Sequence, residues 1–255
     1  SASWILDLFS HFRFQYLLGF TGLALLLAGL RCYRTLPVCA VGFGINAVVL
    51  APLFFGGAGS PIDSSEAAPL RAMLFNVNTH GDPIAARQAI ELAQPDILLL
   101  EEISVRWLEA LRPLHAAYPY RLTRPRDDNF GIALFSKLPF AESAIVSIGP
   151  SAVPSVAATI TTPSGPLAFL GTHPLPPISG HYTQSRNDHL AELSRHIDAS
   201  IPTLLMGDLN ITPWHPRFQQ IATTTGLRDS SRGFGYQPTW PNNTFLFRIP
   251  LDHAL

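Results

Sequence analysis

The N-terminal part of the chain differs from the rest in its pattern of apolar and polar positions. Charged residues are absent from two long stretches, residues 14–30 and 35–62. A membrane-spanning helix needs roughly 20 apolar residues, and neither stretch shows the polar stripe of a helix that packs on a soluble core. The pattern therefore predicts two transmembrane helices, over residues 14–30 and 36–55, in a segment that ends near residue 58.

The charges that flank these stretches predict an orientation. Arg31 and Arg34 lie in the turn between the two apolar runs, and positive residues in short loops favour the cytoplasmic side. The turn is then inside, and everything that follows is on the outer side of a cytoplasmic membrane crossed more than once. A signal peptide or two buried helices are the alternatives, but a signal peptide has a single short apolar region. Because the chain begins with Ser1 rather than Met, an initial segment is also expected to be missing.

The remainder of the chain alternates between apolar runs and helix-like stretches, which indicates a mixed α/β domain over residues 70–255. A stretch rich in Gly, Ser and Pro precedes it and predicts a flexible linker over residues 59–69. Apolar runs predict strands, and Asp-Pro and Ser caps, helical periodicity and a terminal Gly predict helices. The predicted strands cover residues 73–77, 97–100, 130–135, 156–161, 167–171 and 203–206, and the predicted helices cover residues 83–94, a short stretch after 104, a stretch around 190–197, and 214–225.

Polar side chains follow four of the predicted strands at the point where each strand ends. They are Asn76 and Asn78, then Glu101 and Glu102, then His173, and finally Asp208 and Asn210. In α/β proteins ligands bind at such strand ends, and carboxylate and amide oxygens are the ligands that Mg²⁺ selects. Each residue alone has a plainer interpretation, since Asn and Asp also favour turns. An Asp directly after a buried strand is nevertheless costly without partners.

The order of these motifs resembles that of the endonuclease/exonuclease/phosphatase (DNase-I-like) superfamily, over about residues 71–255. The motifs are FNVN at 75–78, PDILLLEE at 95–102, GIALFSK at 131–137, GTH at 171–173 and GDLN at 207–210. The resemblance implies a four-layer α/β/β/α sandwich. It also implies hydrolysis of a phosphoester with a divalent metal, Mg²⁺ or Mn²⁺.

The resemblance also assigns the metal end of the site. Glu102 matches the principal metal-binding glutamate of the family, and Glu101 stands where many members have Gln. Asn76 matches the site asparagine of the first strand. Asn78 stands where members have Asp or Asn, which implies a second metal contact.

The phosphate end is assigned in the same way. His173 matches the residue that contacts the scissile phosphate, and Asp208 and Asn210 match the pair that activates water and orients the phosphate. Trp240, in the sequence Pro-Thr-Trp-Pro, resembles an aromatic wall of the site, although a core Trp is an equal alternative.

The C-terminus departs from the family pattern. Members end with a Ser-Asp-His motif, whereas Asp252 and His253 resemble the strand that precedes it. We therefore expect His253 to be a strand residue, with the last strand and the catalytic His beyond Leu255. The alternative is that His253 is itself the catalytic His.

Charge and cysteine content restrict the function further. From Ser60 onward the chain has 14 Lys and Arg against 17 Asp and Glu, a net charge of −3. Proteins that bind long nucleic acids usually carry a positively charged surface, so the charge disfavours a nucleic-acid partner. Both cysteines lie in the apolar N-terminal part, which excludes a disulfide framework elsewhere. The leading hypothesis is a membrane-anchored, metal-dependent phosphoester hydrolase that resembles bacterial members with a helical anchor and acts on a phosphorylated, lipid-linked substrate. An exported nuclease and a catalytically inactive binding domain are the alternatives.

Overall fold

A computed structural model describes residues 3–55, 69–198 and 200–255. Three helices, α1 (Ser3–Ser10), α2 (Arg13–Gly29) and α3 (Leu36–Phe55), precede the domain. The predicted linker, apart from Pro69, lies outside the described residues. The domain contains helices α4 (Pro83–Ala93), α5 (Val105–Ala110), α6 (Gly180–Glu192) and α7 (Pro216–Thr225), and strands β1 (Ala72–Asn76), β2 (Ile97–Glu101), β3 (Tyr120–Arg124), β4 (Ile132–Ser136), β5 (Phe140–Ser147), β6 (Pro154–Thr162), β7 (Gly165–Thr172), β8 (Thr203–Asp208) and β9 (Asp252–Ala254).

The strands form two mixed sheets that pack face to face. One sheet has the order β1-β2-β4-β3 and the other has the order β5-β6-β7-β8-β9. The core between the sheets contains Leu99 and Leu134 from the first sheet and Val156, Phe169 and Met206 from the second. Side chains of a strand alternate between its two faces, so the continuous apolar run of β2 is explained by burial on both sides.

Helices cover the outer faces of both sheets. Ile90 of α4 and Trp107 of α5 pack with Leu98 and Leu100 on the first sheet. Leu190 of α6 and Phe218 of α7 pack with Leu170 and Leu205 on the second sheet. The predicted four-layer α/β/β/α sandwich is confirmed.

Most predicted elements are present, with boundaries that local chemistry explains. Helix α4 begins after Asp82, whose carboxylate accepts hydrogen bonds from the N–H groups of Ile84 and Ala85. Helix α7 begins two residues later than predicted because the ring of His215 caps it, and it ends at Gly226 in the left-handed conformation. Helix α6 begins at Gly180, well before its apolar pattern, because Ser179 caps it.

Strands β3 and β5 were not predicted. Most of their residues are exposed or half-buried, so neither carries a continuous apolar run. These segments form strands because they pair with a neighbouring strand, more than because of the strand propensity of their own sequence. The predicted hairpin of β6 and β7 is confirmed, with antiparallel pairing.

The N-terminal helices coincide with the two predicted membrane segments to within one residue. Among the described residues, one helical segment, residues 33–55, is long and apolar enough to cross a membrane. Helix α2 passes the same test only together with α1, from which it is bent by 67°. A second span over residues 14–30 therefore stays a prediction.

Candidate functional site

The polar ends of strands from both sheets meet at one edge of the sandwich. Strands β1 and β2 run parallel, as do β7 and β8, so their carboxyl ends lie on the same side of each sheet. The side-chain Nδ2 of Asn76 donates to Oε1 of Glu102 at 3.0 Å and lies 3.4 Å from Oδ2 of Asp208. Asn76 thus joins a carboxylate of the first sheet to a carboxylate of the second.

The site residues that follow the strands have an unusual backbone conformation. Glu102 and Asn210 have φ values of 62° and 52°, in the left-handed region that side chains rarely adopt. Each is held there by hydrogen bonds, since Oε2 of Glu102 accepts the N–H of Thr79 at 3.2 Å and Nδ2 of Asn210 donates to the carbonyl of Pro174 at 3.0 Å. Such strained positions cluster at functional sites.

A buried carboxyl group links the two sheets beneath the site. Both side-chain oxygens of Glu101 lie within hydrogen-bond distance of the backbone N–H of Asp208, at 3.2 and 3.0 Å. Gly207 permits this approach, because a Cβ there would lie 3.0 Å from Oε1 of Glu101 and would collide with the carbonyl of Thr172. Burial raises the pKa of Glu101 well above its ordinary value, and the charges of Asp208 and Asp252 raise it further.

Negative charge accumulates at the site without a compensating cation. Burial raises the pKa of Asp208 to about 6, and the charge of Glu102 adds to the effect. Burial also raises the pKa of Asp252 to about 7, together with the charge of Asp208. None of the described residues that line the surrounding cavity is Lys or Arg. A bound cation would offset this excess of negative charge.

Carboxylate and amide oxygens are the donors that the site offers to a cation. Among the described residues, no group of three or more His, Cys, Asp or Glu is arranged to hold a metal ion. Mg²⁺ is held by one or two carboxylates and keeps several waters. The Glu102 carboxylate, with Asn76 and Asp208 beside it, supplies oxygens of that kind.

His173, directly after β7, is buried between Phe130 and Asp208. Its ring lies beside Phe130, with centroids 5.5 Å apart, and its Nε2 is 3.9 Å from Oδ2 of Asp208. Its Nδ1 has no hydrogen-bond partner among the described residues. Burial lowers the pKa of His173 despite the nearby charges of Glu102 and Asp252. Burial therefore favours the uncharged imidazole at this position.

These groups line a cavity of about 700 Å³. Its lining includes Asn76, Glu102, His173, Asp208 and Asn210, so the structure brings these five predicted residues together. Trp240 also lines the cavity and is 54% exposed. Its exposure excludes the alternative of a core Trp.

Two residues with predicted or alternative roles lie elsewhere. The side chain of Asn78 accepts a hydrogen bond from the N–H of His80 at 3.0 Å, within its own turn, and is not among the cavity lining. The structure thus does not bring Asn78 to the site as a second metal contact. His253 lies in β9, where its Nε2 is 2.7 Å from the carbonyl of Ile211 and its ring packs on Phe218. It faces away from the site, as expected of a strand residue.

Sequence analysis missed two groups of residues near the site. Asp252 lies opposite Asp208 in the pairing of β8 with β9. The sequence contained a signal for it, because neighbouring residues of a strand face opposite sides. If His253 faces away from the site, Asp252 must face towards it. Leu8, His11 and Phe12, in α1 and just after it, also line the cavity. No sequence pattern links these residues to a site built from residues 76–210.

Comparison with known proteins agrees with this architecture. Residues 73–255 match the model of the endonuclease/exonuclease/phosphatase family. The chain belongs to this family. No curated protein matches the chain significantly. The family consists of phosphoester hydrolases, which supports hydrolase activity.

Solved structures share the family fold at low sequence identity. A humanized D. rerio TDP2 is 17% identical, with a TM-score of 0.59 over 72% of this chain and 82% of that one. Sphingomyelinase C from Streptomyces griseocarneus is 17% identical, with a TM-score of 0.58 over 74% of this chain and 83% of that one. A family protein from Beutenbergia cavernae is 21% identical, with a TM-score of 0.50 over 61% of this chain, which spans only 53% of that protein.

Proposed function

We propose that the chain is a divalent-metal-dependent hydrolase of phosphoester bonds. The observation that carries the proposal is the convergence of Glu102, Asn76 and Asp208 in a cavity whose described lining contains no Lys or Arg. A pocket that raises the pKa of Asp208 to about 6 is suited to a cation. Intact site residues also argue against an inactive binding domain.

The residues around the cavity divide the chemistry. Glu102, assisted by Asn76, would hold Mg²⁺ or Mn²⁺, which supplies positive charge to a phosphoryl oxygen when bound. Asp208, whose carboxylate lies 3.4 Å from the side-chain amide of Asn76, orients the attacking water and accepts its proton. Asn210 and His173 hold the phosphoryl oxygens through hydrogen bonds.

The apolar helices would anchor this domain in a membrane. Only 22% of the apolar window of residues 33–55 is buried, and Val41 and Val48 of α3 are exposed. A helix this apolar and this exposed suits lipid rather than water. The proposal includes α2 as a second span.

The contacts of the two helices are consistent with the predicted orientation. Gln15, near the start of α2, donates to the carbonyl of Leu246 at 3.0 Å, and Leu53, near the end of α3, accepts from the N–H of Gly233 at 2.9 Å. The domain therefore contacts the ends opposite to the turn that carries Arg31 and Arg34. A cytoplasmic turn would place the domain on the outer side.

The proposed substrate is a lipid-linked phosphate. The lining of the cavity combines polar residues, which include Glu102 and His173, with apolar ones, which include Ile178 and Trp240. A nuclease is the second candidate, since members of the family include nucleases, but a nucleic-acid groove normally carries Lys and Arg. The lining of this cavity favours the lipid-linked substrate.

The proposal is tested with the chain in detergent, with Mg²⁺ or with a chelator. The substrates are DNA, sphingomyelin, phosphoinositides and polyprenyl pyrophosphate. Glu102→Gln should lower hydrolysis by roughly 10²-fold or more while the protein stays folded. Glu109→Gln, an exposed glutamate in α5, is the matched control and should retain activity. Equal activity of Glu102→Gln at saturating Mg²⁺ would remove Glu102 from the site.

A further inference from the structure

The helix α1 forms part of the wall of the catalytic cavity. Leu8 of α1 and Phe12, just after it, line the cavity together with Trp240, Ile249 and Leu251. These side chains are apolar, and the carboxylates of Glu102 and Asp208 line the same cavity. A helix of eight residues is unstable alone, so its position depends on the contacts it makes with the domain.

A buried ion pair connects α1 to Arg186 of α6, which in turn contacts Asn210. Asp7 accepts hydrogen bonds from Nη2 of Arg186 at 2.8 Å and pairs with Nε2 of His215 at 2.6 Å. Arg186 is fully buried in α6. Its Nη1 donates to the backbone carbonyl of Asn210 at 3.0 Å. One guanidinium group therefore contacts both α1 and a residue of the site.

Two further hydrogen bonds fix the end of α1. Nδ1 of His11 lies 3.0 Å from Oγ1 of Thr212, and Nε1 of Trp214 donates to the carbonyl of Ser10 at 2.9 Å. Both partners belong to the segment between β8 and α7. The helix is thus held on the domain by polar contacts, and its apolar residues are free to line the cavity.

The other face of α1 is exposed and apolar. Ile5, Leu6 and Phe9 are 44%, 71% and 59% exposed, and α2 follows at an angle of 67°. Two apolar residues of the cavity lining, Leu8 and Phe12, therefore lie beside the start of the proposed anchor. An apolar chain that leaves the membrane would reach the cavity at this point.

We propose that α1, with Trp240, Ile249 and Leu251, forms a subsite for an apolar chain attached to the phosphate of the substrate. This assignment rests on the proposed function and deepens it. It defines the substrate class as amphiphilic phosphoesters, whose charged end lies at Glu102 and whose apolar chain lies against Leu8 and Phe12. The N-terminal segment is then part of the active site as well as an anchor.

The test measures binding rather than turnover. The full chain in amphipol, with Mg²⁺, is titrated with octyl phosphate and with ethyl phosphate by calorimetry. The wild type should bind octyl phosphate at least roughly tenfold more tightly, because the longer chain buries more apolar surface. Leu8→Ser should reduce this ratio by roughly tenfold, the effect of losing one buried leucine contact, and should leave binding of ethyl phosphate unchanged.

Leu6→Ser is the matched control, because Leu6 lies on the same helix, is exposed and does not line the cavity. It should keep the ratio of the wild type. Leu8→Trp, which narrows the subsite, should also lower the ratio while ethyl phosphate still binds. Equal affinity for the two ligands, an unchanged ratio in both Leu8 variants, or an equal loss in Leu6→Ser would each overturn the subsite.

The two proposals fail separately. Hydrolysis that depends on Glu102 without a chain-length effect would overturn the subsite alone. A chain-length effect that depends on Leu8, without hydrolysis of any tested phosphoester, would overturn the proposed function and leave the subsite in place.

Discussion

At the scale of single residues, the site depends on buried groups whose pKa differs from that of the same groups in water. Glu101 illustrates this, because it is fully buried between the sheets and accepts the N–H of Asp208. Burial and the charges of Asp208 and Asp252 raise the pKa of Glu101 well above its ordinary value, which favours the uncharged acid more than water does. The family often has Gln at this position, which is neutral and can accept the same hydrogen bond.

Glu101→Gln is therefore expected to retain stability and activity, since the amide oxygen still accepts the N–H of Asp208. Glu101→Leu leaves that buried N–H without an acceptor and should destabilise the protein by about 1–3 kcal/mol. Chemical unfolding in detergent measures the difference. A Gln variant that is as unstable as the Leu variant would show that the negative charge itself is required.

His189 gives a prediction about pH. It is fully buried in α6, its Nε2 lies 2.7 Å from Oγ1 of Thr172, and burial lowers its pKa from 6.5 to about 4. The unfolded chain takes up a proton below pH 6.5 while the folded chain does not. Stability should therefore be complete above pH 6.5 and fall by up to about 3 kcal/mol as the pH decreases to 4.

Thermal unfolding across this pH range checks the prediction. His189→Gln cannot titrate and should show a correspondingly flatter profile between pH 6.5 and 4. Identical pH profiles for the variant and the wild type would mean that His189 does not contribute.

At the scale of elements, the docking of α1 on α6 and α7 has a polar basis that can be tested. Asp7→Asn removes the charge that compensates the buried Arg186 and should destabilise the protein by about 3 kcal/mol. Replacing both partners, Asp7→Leu with Arg186→Met, should recover most of the loss because no buried charge remains. If Asp7→Asn unfolds at the same denaturant concentration as the wild type, α1 is not held by this pair.

The elements also show which patterns carry local information. Strand β2 was predicted because residues 97–100 form a continuous apolar run, and the structure buries all five residues of the strand. Strand β5 was not predicted, because five of its eight residues are exposed and its sequence mixes polar and apolar positions. A sheet edge is determined by its neighbour, which a sequence pattern does not contain.

At the scale of the whole molecule, the orientation of the anchor remains to be tested. Alkaline phosphatase fused after Ser60 should be active if the domain is on the outer side, since the reporter folds only there. A green fluorescent protein fused at the same position should be dark.

Replacing Arg31 and Arg34 with Glu removes the positive charge of the turn and should lower the alkaline phosphatase activity. A fluorescent fusion after Ser60 would show that the orientation is reversed.

The sequence by itself determined the elements with strong periodicity, the strand-end position of the polar residues and the family. Those features are local, since an apolar run and a polar residue after it are adjacent in the chain. Asn76, Glu102, His173, Asp208 and Asn210 could be identified for this reason.

Only the tertiary structure decided which of these residues share a cavity, because their distances depend on the packing of the two sheets. In the structure, the side chain of Asn78 accepts a hydrogen bond within its own turn, and Asp252 lies opposite Asp208. It also brought α1 to the cavity through an ion pair between Asp7 and Arg186, 179 positions apart in the chain. Contacts over such separations depend on the fold, and no periodicity of the sequence records them.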